Sequence, residues 1–169
     1  VLVLDRRTAS YSSGEQFELA VSAAASLLDL AVRLNMPVGF VSAGKQRHLF
    51  GAGRAGGTRE EVMEHLVDAE ADGDGSLAEA LSEASSRFEP GAYLILVSPL
   101  AEEDVAGTFQ ALEARRQTAS HVHIAGRSPE SAEAAGLEGW RMMLRARGWE
   151  MCTIARLEDL RQATEVGTA

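Results

Sequence analysis

Apolar positions along this chain recur with two alternating periods. Residues 1–4 are a continuous apolar run closed by Asp5, the pattern of a strand buried on both faces. Ser13 and Gln16 then have the spacing of a capping box, and a helix is predicted from there to about Leu34. Phe17, Val21, Ala24, Leu28 and Ala31 share one face of it, while Ser22, Ser26, Asp29 and Arg33 share another. Pro37, just after Asn35, stops it. Residues 38–42 read as a second strand and 47–50 as a short third one. The four-residue linker between them suits a hairpin, so the third strand is predicted to be antiparallel and at an edge.

A glycine-rich loop leads to a second capping box at Thr58, with Val62, Met63 and Leu66 anchoring the helix that follows. The acidic loop 70–75 precedes a third box at Ser76, after which Leu77, Leu81, Ala84 and Phe88 recur at helical spacing. Further strands are predicted at 93–97, 121–124 and 149–154. Further helices are predicted around Val105, Phe109 and Leu112, over 137–147 and over 157–163. Strands alternating with helices, interrupted by one hairpin, specify an α/β fold: a doubly wound, mostly parallel sheet with one antiparallel edge strand, in a three-layer Rossmann-like sandwich. No repeat or long linker divides the chain, so residues 1–169 read as a single domain.

Composition narrows the function. The formal charge of −9 excludes a nucleic-acid binder, which needs clustered Lys and Arg, and a direct grip on anionic lipid. The lone Cys152 forms no internal disulfide, which points to a reducing, cytoplasmic compartment. No run reaches the roughly 18 apolar residues of a membrane helix. The start at Val1, inside a strand, reads as a fragment of a longer protein, one that a membrane anchor elsewhere could tether.

Several motifs imitate chemistry. Gly51, Gly53 and Gly56 match GxGxxG, and Gly57-Thr58 extends it towards a P-loop, but the strand before it is antiparallel and the phosphate-binding lysine is missing. A flexible connection is the expectation. His121 and His123 share a strand face, with Cys152 as a conceivable third ligand on the next strand, yet helices cover such a face and no fourth ligand is evident. Ser42 before Ala43-Gly44 hints at a nucleophile elbow, but Phe40 stands where a small residue is needed. Ser98 sits before Pro99 with no candidate histidine nearby in the sequence pattern. Ser13, Thr58 and Ser76 are read as helix caps and Trp140 and Trp149 as packing residues.

Four stretches occur in a telling order. After the strand ending at Asp5 comes Phe17-Glu18-Leu19-Ala20-Val21-Ser22-Ala23-Ala24-Ala25-Ser26-Leu27, then Val38-Gly39-Phe40-Val41. Asp74-Gly75-Ser76-Leu77-Ala78-Glu79-Ala80-Leu81 and Leu96-Val97-Ser98-Pro99 follow. Over residues 1–154 this resembles the von Willebrand factor A fold, and within it the bacterial branch named domain of unknown function 58. The resemblance implies a metal-ion-dependent adhesion site at the carboxyl ends of the strands, made by Asp-x-Ser-x-Ser, a distant Thr and a distant Asp. Hard divalent cations want such oxygen ligands.

This chain departs from that pattern. Arg7 and Ala9 take the two serine positions, with Thr8 and Ser10 one residue late. Ser76 can replace the threonine, and Pro99 replaces the distant aspartate. The site is therefore read as degenerate, with no metal and no cofactor. If any metal bound, its ligands would be Asp5, Thr8, Ser10 and Ser76. Arg7 is expected to neutralise Asp5 in place of a cation. The rim formed by Asp5, Arg6, Arg7, Thr8, Ser10, Ser76 and Ser98 is expected to dock a protein. The resemblance further implies a cytoplasmic, non-catalytic adaptor for a MoxR-type AAA+ ATPase. Two alternatives stand: a Mg²⁺-dependent adhesion module, and a hydrolase or phosphoryl-transfer enzyme centred on Asp5 or Ser98.

Overall fold

Four consecutive buried residues, Leu2–Asp5, make strand β1 at the middle of a six-stranded sheet in the computed structural model, which describes residues 1–53, 56–87, 91–99, 105–114, 118–126 and 131–160. The other elements are α1 (Gly14–Arg33), β2 (Val38–Ala43), β3 (Arg47–Gly53), α2 (Gly56–Val67), α3 (Leu77–Arg87), β4 (Leu94–Ser98), α4 (Val105–Ala114), β5 (Ala119–Ile124), α5 (Ser131–Ala146) and β6 (Glu150–Ile154). Residues 157–160 are helical as well. The strand order is β3-β2-β1-β4-β5-β6, parallel throughout except for the β2–β3 hairpin at the edge.

Because side chains alternate along a strand, each strand feeds two cores. Leu2, Leu4, Phe40, Val97 and Val122 meet Ala20, Ala24 and Leu28 of α1 and Val62 and Leu66 of α2. Val3, Val41, Leu94 and Leu96 meet Leu77 and Leu81 of α3 and Trp140 and Leu144 of α5. The alanines of α1 allow close approach, and its buried face is Gln16, Phe17, Ala20, Ala23, Ala24 and Leu28. Val21 and Ala31, expected on that face, are only partly buried. Ser13 caps α1 by accepting the Gln16 amide at 3.2 Å. At the other end Asn35 adopts φ 54°, the left-handed turn that lets the chain leave the helix before Pro37. Among the described residues no helix is long and apolar enough to cross a membrane.

Several boundaries differ from expectation. β3 runs on to Gly53 and α2 begins at Gly56, so the glycine-rich stretch is mostly strand end and helix start rather than a free loop. Residues 54 and 55 lie outside the described residues. Thr58 therefore falls inside α2, because pairing of Gly53 with Val38 carries β3 past Phe50. Ser76, by contrast, does precede α3, with the Glu79 amide 3.5 Å from its hydroxyl. α5 begins six residues before Leu137. Tyr93 is exposed just ahead of β4. Phe88 and residues 161–163 lie outside the described residues.

Candidate functional site at the carboxyl end of the sheet

Parallel register decides which groups gather where the central strands end. Leu4 pairs with Val97 and with Ser42. One position on, Asp5 reaches the Ser98 side chain on the α3/α5 face, and Arg6 shares the opposite face with Ser42. Two consecutive residues thus serve opposite sides of the sheet.

Asp5 is fully buried. Its Oδ1 accepts the backbone N–H of Arg7 at 3.0 Å and the Arg7 Nε–H at 3.0 Å. Its Oδ2 accepts Arg7 Nη2 at 2.9 Å, the Ser10 hydroxyl at 2.9 Å and the Ser98 hydroxyl at 2.7 Å. A carboxylate offers about four lone-pair positions, so both oxygens are saturated. The guanidinium fork and the carboxylate form a planar, charge-assisted pair. The expected neutralisation of Asp5 by Arg7 is present in the geometry. The Tyr11 hydroxyl donates to the Asp5 carbonyl. Burial, and then the Asp5 charge, push the Tyr11 phenol well above its ordinary pKa.

Arg6 faces the other way. Its Nε donates to the Glu70 carbonyl at 2.8 Å, Nη1 to the Ser42 hydroxyl at 3.1 Å and Nη2 to Asp72 at 3.0 Å. The Ser42 hydroxyl, which accepts from Arg6, also hydrogen-bonds His65 Nε2, 2.8 Å away. The His48 ring lies 4.6 Å from that of His65. Burial, then His48 and Arg6, hold His65 below its usual pKa. Ser42 is fully buried between Arg6 and His65, so it presents no nucleophile at a surface.

The acidic loop 70–75 continues the sheet. Arg7 bridges Gly73, the Thr8 amide donates to the Gly73 carbonyl at 2.9 Å, and the Gly73 amide donates to the Arg6 carbonyl at 2.9 Å. A Cβ on Gly73 would lie 3.2 Å from the Ala43 and Arg6 carbonyl oxygens, backbone atoms with little freedom to move away. Thr8 donates its hydroxyl to the Ala71 carbonyl at 2.8 Å, away from Asp5.

The fold therefore brings together Asp5, Arg7, Ser10 and Ser98, while Thr8 is turned to the loop and Ser76 to the start of α3. Of the seven expected rim residues, Asp5, Arg6, Arg7 and Ser98 are buried, Ser10 and Ser76 are partly exposed, and Thr8 is exposed. The surface there is made instead by Thr8 and by residues of the loop such as Glu70 and Asp74. Sequence reasoning missed Tyr11, Asp72, Gly73, His48 and His65. An acidic loop opposite two arginines was the only available signal, and it named no pairing.

An adhesion-site cation does not fit these residues. Entry to Asp5 would require removal of the Arg7 guanidinium, and the remaining neighbours are neutral hydroxyls. Among the described residues no three His, Cys, Asp or Glu side chains cluster as a metal site.

The histidine pair is a packing feature. Trp140 Nε1 donates to His121 Nδ1 at 2.8 Å, which leaves Nε2–H of a neutral ring to donate to the Ser98 carbonyl at 2.8 Å. Burial first, then His123, lowers the His121 pKa to about 3. Burial lowers His123 to about 4. Cys152 pairs with Val122, between the two histidines in sequence, so it lies on the other face of the sheet and cannot join them. Burial raises its thiol pKa.

The sheet order, the hairpin edge and the two helical layers define a doubly wound α/β domain of the general Rossmann and von Willebrand factor A-like type. No protein-family model matches the chain, and no curated protein matches it in sequence. Solved structures do match in fold. Proximal thread matrix protein 1 from the mussel byssus superposes with TM-score 0.54 at 12% identity over 98% of this chain, and in another crystal structure with 0.50 at 14% over 94%. The chain spans under half of that protein, 45% and 43% respectively. A conserved hypothetical protein, BatB from Bacteroides thetaiotaomicron, superposes with TM-score 0.55 at 10% identity, covering 99% of this chain and 97% of that one.

Proposed function

We propose that this chain is a non-catalytic protein-interaction domain, a von Willebrand factor A-like module of the domain of unknown function 58 type whose adhesion site is degenerate. One observation carries the reading: both oxygens of Asp5 are occupied by Arg7, Ser10 and Ser98. A buried carboxylate held this way has no free lone pair for a cation, and no accessible face from which to attack a phosphoryl or acyl centre. The guanidinium supplies internally the positive charge that an adhesion site takes from solution. Partner recognition is then left to the exposed side chains along the end of the sheet.

By the sequence resemblance the partner is a MoxR-type AAA+ ATPase, met in the cytoplasm by an adaptor that is itself anchored to the membrane through other parts of the protein. The test is photo-crosslinking in the native cell, with the full-length protein carrying a benzophenone amino acid at Thr8 or Asp74, or at Met142 as an exposed control. The reading expects one AAA+ ATPase from the first two positions and not from the third. Turnover of a phosphate ester or acyl substrate that disappears in Asp5→Ala would overturn it.

A further inference from the structure

Beside the buried Asp5 cluster lies an open groove of about 360 Å³, between the first turn of α1 and residues 69–71. Its lining includes the apolar Tyr11, Phe17 and Ala69 and the acidic Glu18 and Glu70. Both glutamates are exposed, and among the described residues neither carboxylate has an ion-pair partner. The Tyr11 and Phe17 rings pack edge to face at 5.0 Å, and Arg6 holds the Glu70 carbonyl at 2.8 Å.

We infer that this groove receives an arginine or lysine side chain of the partner protein, its aliphatic stem along the Tyr11–Phe17 wall and its cationic head between Glu18 and Glu70. The inference rests on the protein-binding reading above and gives its partner a chemistry. Long basic side chains combine an apolar stem with a charged tip, and the groove combines an apolar wall with an acidic mouth. An anion is disfavoured despite the nearby helix start, because Ser13 already accepts the Gln16 amide, Glu15 occupies the first turn, and Glu18 and Glu70 repel it. The chain's formal charge of −9, with Asp68 and Asp74 exposed on the adjoining loop, draws a basic surface towards this end.

The probes are the capped tripeptides Ala-Arg-Ala, Ala-Lys-Ala, Ala-norleucine-Ala and Ala-Glu-Ala, titrated into the ¹⁵N-labelled 169-residue chain and followed by amide chemical shifts. The Arg and Lys peptides should give saturable shifts confined to residues 8–18 and 69–71. Affinity should fall about three- to tenfold in the Glu18→Gln/Glu70→Gln double variant, the scale of exposed ion pairs, and should weaken with salt. Both glutamates are exposed, so the double variant keeps its fold, which its own spectrum verifies. Norleucine or Glu peptides binding as tightly as Arg, affinity unchanged in the double variant, or no saturable shift at these residues would overturn the inference. Crosslinking from Thr8 to an ATPase that survives in the double variant would leave the functional reading standing while the groove assignment falls.

Discussion

Arg6 and Arg7 are chemically identical neighbours at the end of one strand, yet they sit in opposite kinds of environment. Arg7 meets a carboxylate that is wholly buried, in a fork of hydrogen bonds shared with Ser10 and Ser98. Arg6 spreads its donors over a carbonyl, a hydroxyl and Asp72, whose side chain is 37% exposed. Strand alternation alone creates this division. The first arrangement is an internal counter-ion, strong because its partner cannot be hydrated. The second is a tether that holds the loop 70–73 against the sheet, and solvent can replace part of it. A buried pair is weak evidence for net stability, but breaking it by removing one member strands a charge.

The largest effect should therefore come from Arg7→Ala, a loss of about 3–5 kcal/mol in urea denaturation. Pairing it with Asp5→Asn should recover much of that loss. A double variant no more stable than Arg7→Ala would break the counter-ion account.

Acid comes next. The folded pKa values of His121 and His123 lie at about 3 and about 4, below the ordinary 6.5. Below pH 6.5 the unfolded chain takes up protons that the folded chain refuses. Stability is thus complete above that pH and is lost as pH falls towards 4 and 3. From pH 7 to 5 each histidine should cost about 2 kcal/mol. His65, lowered in the same direction, adds to the loss on the Arg6 side of the sheet. A midpoint that is flat over this range would count against the buried neutral rings.

On the tether side, Arg6→Ala should destabilise by about 2 kcal/mol, the scale of hydrogen bonds to charged groups. It should also speed amide exchange at Gly73 before exchange in β1. The smallest effect expected is Ser10→Ala, about 1 kcal/mol, since Arg7 and Ser98 still hold the Asp5 carboxylate.

The architecture was legible because it depends on periodicity. Unbroken apolar runs such as residues 94–97 had to be central strands, and the short linker after Ala43 had to be a hairpin. Asp5 and Arg7 were also legible as a pair, being two residues apart at a strand end. What escaped depended on contacts across long sequence separations. Arg6 to Asp72 and Arg7 to Gly73 link residues more than sixty positions apart, and nothing local distinguishes an acidic loop that is pinned from one that is solvated. Strand register was equally hidden. Setting Cys152 opposite Val122 rather than His121 or His123 moves it to the other face. The expected rim was misplaced inward for a related reason. The residues chosen for their chemistry are the ones the fold satisfies internally, and the exposed surface falls to Thr8, Glu18, Glu70 and Asp74.

The proposed function rests on the Arg7 guanidinium occupying the Asp5 carboxylate. Calorimetric titration of Mn²⁺ into the wild-type chain and into Asp5→Asn addresses this directly. The account predicts the same flat, unsaturable trace for both proteins. A saturable Mn²⁺ site in the wild type that vanishes in Asp5→Asn would contradict it.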